Sequence, residues 1–125
     1  MRGVTDVVIW HNPRCSKSRR ALELLEERGL EPAIVRYLDE PPSREEIEHV
    51  LSLLGIEPRE LMRRGEQLYR ELGLDSDALS REALVAAMVG NPVLIERPVV
   101  IADGRAAIGR PPERVLELFG DGPRG

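Results

Sequence analysis

The sequence predicts an α/β fold, a mixed four-stranded sheet with flanking helices and a helical insertion between its two halves. Three observations carry this. A strand, a helix and a second strand fill the segment up to Leu38, a spacing that favours a right-handed parallel unit. A block of helical periodicity follows, over about residues 43–90. The chain then returns to extended segments on either side of Asp103-Gly104, a strong two-residue hairpin signal.

The elements follow in order. Val4 to Trp10 reads as the first strand, and its near-continuous Val7-Val8-Ile9 suits a central position covered on both faces. The first helix is expected from Ser16 to Arg28, with Gly29 as a left-handed stop. Ala33 to Leu38 is the second strand. Ser43-Arg44-Glu45-Glu46 is a capping box in sequence, and Ile47, Val50, Leu51 and Leu54 keep helical spacing until Gly55. Pro58 opens a short helix carrying Leu61, Met62, Arg63 and Arg64. Gly65 interrupts it, Leu68-Tyr69 and Leu72 resume the pattern, and Gly73 closes it.

Asp75 to Ser80 is a loop. Ser80 caps a further helix with Leu84, Met88 and Val89 on its apolar face, ended by Gly90-Asn91-Pro92. Arg97 to Ala102 and Arg105 to Ile108 are the hairpin strands. Pro111-Pro112 opens the last helix, whose apolar face is Val115, Leu116 and Phe119, and residues 120–125 form a frayed tail. A β-α-β half, a helical insertion and a β-β-α half together make the thioredoxin/glutaredoxin arrangement.

The chain has 125 residues, 42% hydrophobic and 32% charged, which suits one domain over residues 1–125 with a real core. A single cysteine excludes an internal disulfide framework. With only His11 and His49 beside it, no cysteine-rich zinc site is expected. No apolar run approaches the roughly 18 residues of a membrane span, and no signal-like segment opens the chain, so a soluble protein of the reducing cytoplasm is expected. A net charge of −4 argues against general nucleic-acid binding. Lys17 is the only lysine among eighteen basic residues. A GC-rich genome accounts for most of that bias, yet arginine is also the residue suited to bidentate grip on oxyanions.

Cys15 stands just after the break at His11-Asn12-Pro13, where a helix should begin. First-turn amide N–H groups lack intrahelical partners and favour an anion. Arg14, Lys17, Arg19 and Arg20 lie within five residues of it. A thiol in that setting ionises below the free value of roughly 8.5 and becomes a nucleophile near neutral pH. Cysteine is more often simply a buried small hydrophobe, but here its place at a helix start among cations favours reactivity.

Three arginines stand at element boundaries: Arg63 in the short insertion helix, Arg97 before Pro98, and Arg110 before Pro111. In a thioredoxin-like sheet the turn before the third strand lies beside the cysteine loop, and an X-Pro bond there is where a cis form is expected. Arg97 should therefore point at the sulfur. Three guanidinium forks around a thiolate would suit a tetrahedral oxyanion.

Several segments together carry a resemblance. His11 to Arg19, Tyr37-Leu38 with Pro42-Ser43-Arg44, Arg59 to Arg63, Glu96 to Val100, and Ile108-Gly109-Arg110-Pro111 resemble the glutaredoxin-dependent arsenate reductase family. The likeness runs from about Val7 to Phe119. It implies Cys15 as the nucleophile toward arsenate, and Arg63, Arg97 and Arg110 as the arginines that hold the oxyanion and the thiol-bound arsenic. It implies His11 and Ser18 as residues that tune or hydrogen-bond the cysteine. The Arg-x-x-x-Arg pattern selects Arg63 over Arg64, and His49 has no role. No metal or bound cofactor is implied, but glutathione as co-substrate and glutaredoxin as redox partner are. With one cysteine in the chain, some external thiol must resolve the adduct.

Two alternatives stay open at this stage. The same fold includes Spx-type regulators that bind RNA polymerase, although these commonly carry Cys-x-x-Cys and Ser18 stands at the second position here. Another thiol oxidoreductase without arsenate activity would present much the same residues.

Overall fold

A computed structural model describes residues 6–119, so the expected strand residues Val4-Thr5 and the expected frayed tail lie outside the described residues. The backbone divides into two compact units. One joins the segment up to Glu40 with that from Arg97 onward, and the other is Pro41–Glu96.

The first unit holds the sheet, with β1 (Val7–Trp10), β2 (Ala33–Val35), β3 (Val99–Ala102) and β4 (Arg105–Ile108). Their spatial order is β2-β1-β3-β4. Strand β1 runs parallel to β2, with Ile9 beside Ile34, and antiparallel to β3, with Ile9 beside Val100. It is thus a central strand, as its apolar run requires. The β3–β4 hairpin turns on Asp103 (φ 53°) and Gly104 (φ 71°), the pair of left-handed residues that a two-residue turn demands.

Helix α1 (Ser16–Glu27) and the C-terminal 3-10 helix (Pro112–Phe119) pack on one face of this sheet. Alternate strand residues Val7, Ile9, Val100 and Ala102 meet Ala21 and Leu25 of α1 and Val115 and Leu118 of the 3-10 helix. Leu118, and not Phe119, is the second buried residue. Three residues per turn put positions 115 and 118 on one line; Leu116 and Phe119 pack at its margin.

Two strands are shorter than expected. β2 stops at Val35 because the chain turns at once, with the Asp39 and Glu40 amides donating to the Arg36 carbonyl at 2.8 and 2.9 Å. β3 starts at Val99, after an Arg97-Pro98 bond that is cis; Arg110-Pro111 is cis as well.

The second unit contains α2 (Arg44–Leu54), a 3-10 turn at Pro58–Leu61, α3 (Gln67–Glu71), α4 (Arg81–Gly90) and a 3-10 turn at Pro92–Leu94. The capping box at Ser43 forms as its sequence requires. Ser43 Oγ accepts the Glu46 amide at 3.1 Å, and the Glu46 carboxylate accepts the Ser43 amide at 2.8 Å. Helices α2 and α4 pack together, and their buried residues are Ile47, Val50 and Leu51 in one and Leu84, Val85 and Met88 in the other. Val85 takes the buried place expected for Val89: it flanks Leu84 and stands three residues before Met88, which centres it on the stripe. Met62 bridges Ile95, and Arg63 N–H donates to Leu94 C=O at 2.7 Å, which fixes the backbone on which Arg63 rides.

Candidate active site around Cys15

His11 leaves the end of β1 with its amide donating to the Val35 carbonyl at 2.8 Å. Asn12, Pro13 and Arg14 then make a tight turn. The Cys15 amide donates to the Asn12 carbonyl at 2.9 Å, and Asn12 Oδ1 accepts the Arg14 amide at 2.9 Å. Cys15 is the N-cap of α1, in extended conformation. Its side chain is half-buried and in the free thiol state.

The surroundings of the sulfur favour its anion on balance. Burial pushes the Cys15 thiol up and is the largest single influence. The Ser18 and Lys17 amide N–H groups and the Arg97 guanidinium oppose it, and together they hold the thiol below its ordinary value. The thiol closes no full cap hydrogen bond, yet these donors face it closely enough to favour the thiolate. The cations adjacent in sequence contribute differently from what their proximity suggested. Arg19 donates to the Pro13 carbonyl at 2.8 Å, and Arg20 pairs with Glu23 and Glu27 at 3.1 and 3.4 Å. The guanidinium that matters comes from Arg97, some eighty residues away in sequence.

His11 and Ser18 bond to each other beside the Cys15 loop. Ser18 is fully buried on the first turn of α1, and its Oγ lies 2.6 Å from His11 Nδ1 and accepts the Asn12 amide at 3.1 Å. Burial lowers the His11 pKa, and the Arg36 and Arg19 charges lower it further, so the imidazole is neutral at pH 7. His11 Nδ1 and the Ser18 hydroxyl share a hydrogen bond, and the serine pins the loop to the helix. Neither side chain bonds the sulfur. Their effect passes through the placement of the Cys15 loop and the Ser18 amide.

Tyr37, expected within the second strand, stands instead beside Arg97. It is fully buried beyond the end of β2, and its hydroxyl lies against the Arg97 guanidinium, which also faces Cys15. Burial alone would lower the Arg97 pKa; the Cys15 and Tyr37 partners raise it overall. Arg97 Nε is buried with no protein acceptor, a donor left over beside the thiol.

Arg110 follows β4 after Gly109 and is exposed. Arg63 belongs to the second unit, where it forms an ion pair with Glu66. Among the described residues, no group of three or more His, Cys, Asp or Glu side chains could hold a metal ion, and no helix is long and apolar enough to cross a membrane.

A cysteine thiol lowered in pKa by helix-start amides and one arginine is chemistry that several thiol enzymes share, so comparison with known proteins decides the family. The sequence pattern of the ArsC family matches residues 10–118. The chain belongs to the ArsC family. An arsenate reductase of Neisseria meningitidis serogroup B is 50% identical, over 88% of this chain and 95% of that protein. The Escherichia coli K12 protein YfgD is 56% identical, over 91% and 97%. An arsenate reductase structure from Vibrio cholerae superposes with a TM-score of 0.90 at 51% identity, over 92% of this chain and 98% of that one. The thioredoxin-like sheet with flanking helices is therefore an ArsC-family fold.

Proposed function

We propose that the protein is an arsenate reductase that draws its electrons from external thiols. The observation that carries this is Arg97, which faces the Cys15 sulfur and keeps a buried Nε–H without a partner. A nucleophilic thiolate beside an unused charge-assisted donor suits a tetrahedral oxyanion. The arsenate reductases at about half identity, named above, support the choice of oxyanion.

In this reading the Cys15 thiolate attacks arsenic, a sulfur–arsenic bond forms, and one arsenate oxygen leaves as water after protonation. Arg97 and Arg110 hold the remaining oxygens, and Arg63 joins them by family likeness. Arsenic(V) then gains two electrons as two thiols become one disulfide, so arsenate and two thiols yield arsenite, disulfide and water. Cys15 is the only cysteine, so glutathione and then glutaredoxin supply the thiols the chain lacks. Such a cycle needs a reducing compartment, the cytoplasm. His11 and Ser18 are positioning residues in this scheme, because their contacts set the loop and not the reacting atoms.

The test is arsenate-dependent turnover with glutathione and glutaredoxin, wild type beside Cys15→Ser. Wild-type turnover with loss in the variant is expected. Turnover in the variant, or none in the wild type, would remove the proposal.

A further inference from the structure

We infer that the cleft beside the Cys15 loop binds the electron-supplying thiol as a carboxylate-bearing, glutathione-like molecule, an inference that rests on the arsenate-reductase reading. The cleft has a volume of about 420 Å³ and is lined by His11, Pro13, Arg14, Arg36, Leu38 and Asp39 among others. That size suits a small molecule. One wall is the loop that ends at Cys15. The other is the turn after β2, whose shape is set by backbone bonds to the Arg36 carbonyl.

The charges in the cleft select the ligand. Among the described residues no carboxylate pairs with the Arg14 guanidinium. Arg36 meets Asp39 at 3.5 Å, with both side chains more than half exposed. Such an exposed pair contributes little, so an incoming carboxylate can take over Arg36. The Arg36 charge also reaches His11, which burial and this charge together keep neutral. Two guanidinium groups and one carboxylate therefore face the cleft. A tripeptide thiol of the glutathione type presents the complement, two carboxylates and one ammonium. Leu38, 41% exposed, offers apolar surface to its methylene groups. Arg14 directly precedes Cys15, and neighbouring Cα atoms lie about 3.8 Å apart, so a ligand anchored there has its sulfur within reach of the reacting one.

The experiment has two arms. First, S-methylglutathione, which cannot react, is titrated into wild type and the Arg14→Ala/Arg36→Glu double variant and followed by NMR. Both side chains are exposed, so the fold should persist in the variant. Wild-type binding and at least a tenfold weaker association in the variant are expected. Second, the kcat/KM for glutathione relative to 2-mercaptoethanol, which carries no carboxylate, should fall at least tenfold in the variant. Equal binding by both proteins, no wild-type binding, or an unmoved thiol preference would overturn the assignment. Wild-type binding without arsenate turnover on either thiol would keep the cleft and sink the arsenate reading instead.

Discussion

Gly109→Ala tests whether the backbone behind Arg97 must be as close as it is. A Cβ at position 109 would stand 2.7 Å from Pro98 Cγ, 3.1 Å from Pro98 Cδ and 3.1 Å from Val115 Cγ1. Ordinary van der Waals contact begins at 3.4 Å, so the proline ring would have to move by about 0.7 Å. It cannot move freely: its carbonyl accepts the Gly109 amide at 2.9 Å, and Pro98 itself is buried. Overpacking of this kind costs about 1–3 kcal/mol. A displaced Pro98 also carries Arg97 with it, and Arg97 helps hold the Cys15 thiol below its ordinary value. Urea unfolding should therefore show that loss of stability, and the pH midpoint of iodoacetamide alkylation at Cys15 should rise toward that of a free thiol. Gly65→Ala and Gly90→Ala are the controls, since a Cβ at either meets nothing within 4 Å and neither φ is left-handed. If Gly109→Ala unfolds and alkylates as wild type does, the contact between the two proline-bearing turns does not position Arg97.

Three further outcomes are expected. Arg97→Lys keeps the charge but loses the fork, and should lower arsenate turnover by about a hundredfold, or ~3 kcal/mol in the transition state; steady-state kinetics at saturating thiol would check it. His11 has its folded pKa lowered by burial and by Arg36 and Arg19, so below about pH 6.5 the unfolded chain takes up a proton that the folded chain refuses. Stability should then fall with acidification by up to about 1.4 kcal/mol per pH unit, the loss being complete below the folded pKa. Chemical unfolding of His11→Gln across that window should show a shallower slope. Ser43→Ala removes the hydroxyl half of the capping box at α2, while the backbone amide at position 43 keeps its bond to Glu46, and should cost ~1 kcal/mol, read as a lower urea midpoint with unchanged thiol reactivity.

Much of the molecule was legible from local patterns. Val7-Val8-Ile9 marked a central strand, Ser43 to Glu46 a capped helix start, and Asp103-Gly104 a hairpin, because each depends on the intrinsic conformational preferences of a few adjacent residues. Cys15 was identifiable for the same reason, since a helix start can be read from neighbours alone. What activates it was legible in part. The helix-start amides and Arg97 were expected at the sulfur and are there, whereas the neighbouring cations Arg14, Lys17, Arg19 and Arg20 are not the side chains that serve it. Arg19 and Arg20 find partners on their own helix and loop, because a flexible cation settles on the nearest acceptor. Tyr37 read as a strand residue, and only the turn at Arg36–Glu40 buries it against Arg97. Gly109 carries no local signal of its own; its reason is the Pro98 ring packed against it. Periodicity and turn chemistry are properties of short segments, so the sequence alone determined the elements. The electrostatic field at one sulfur sums the adjacent helix-start amides and a guanidinium from a distant segment, and only the tertiary structure decides that the two meet.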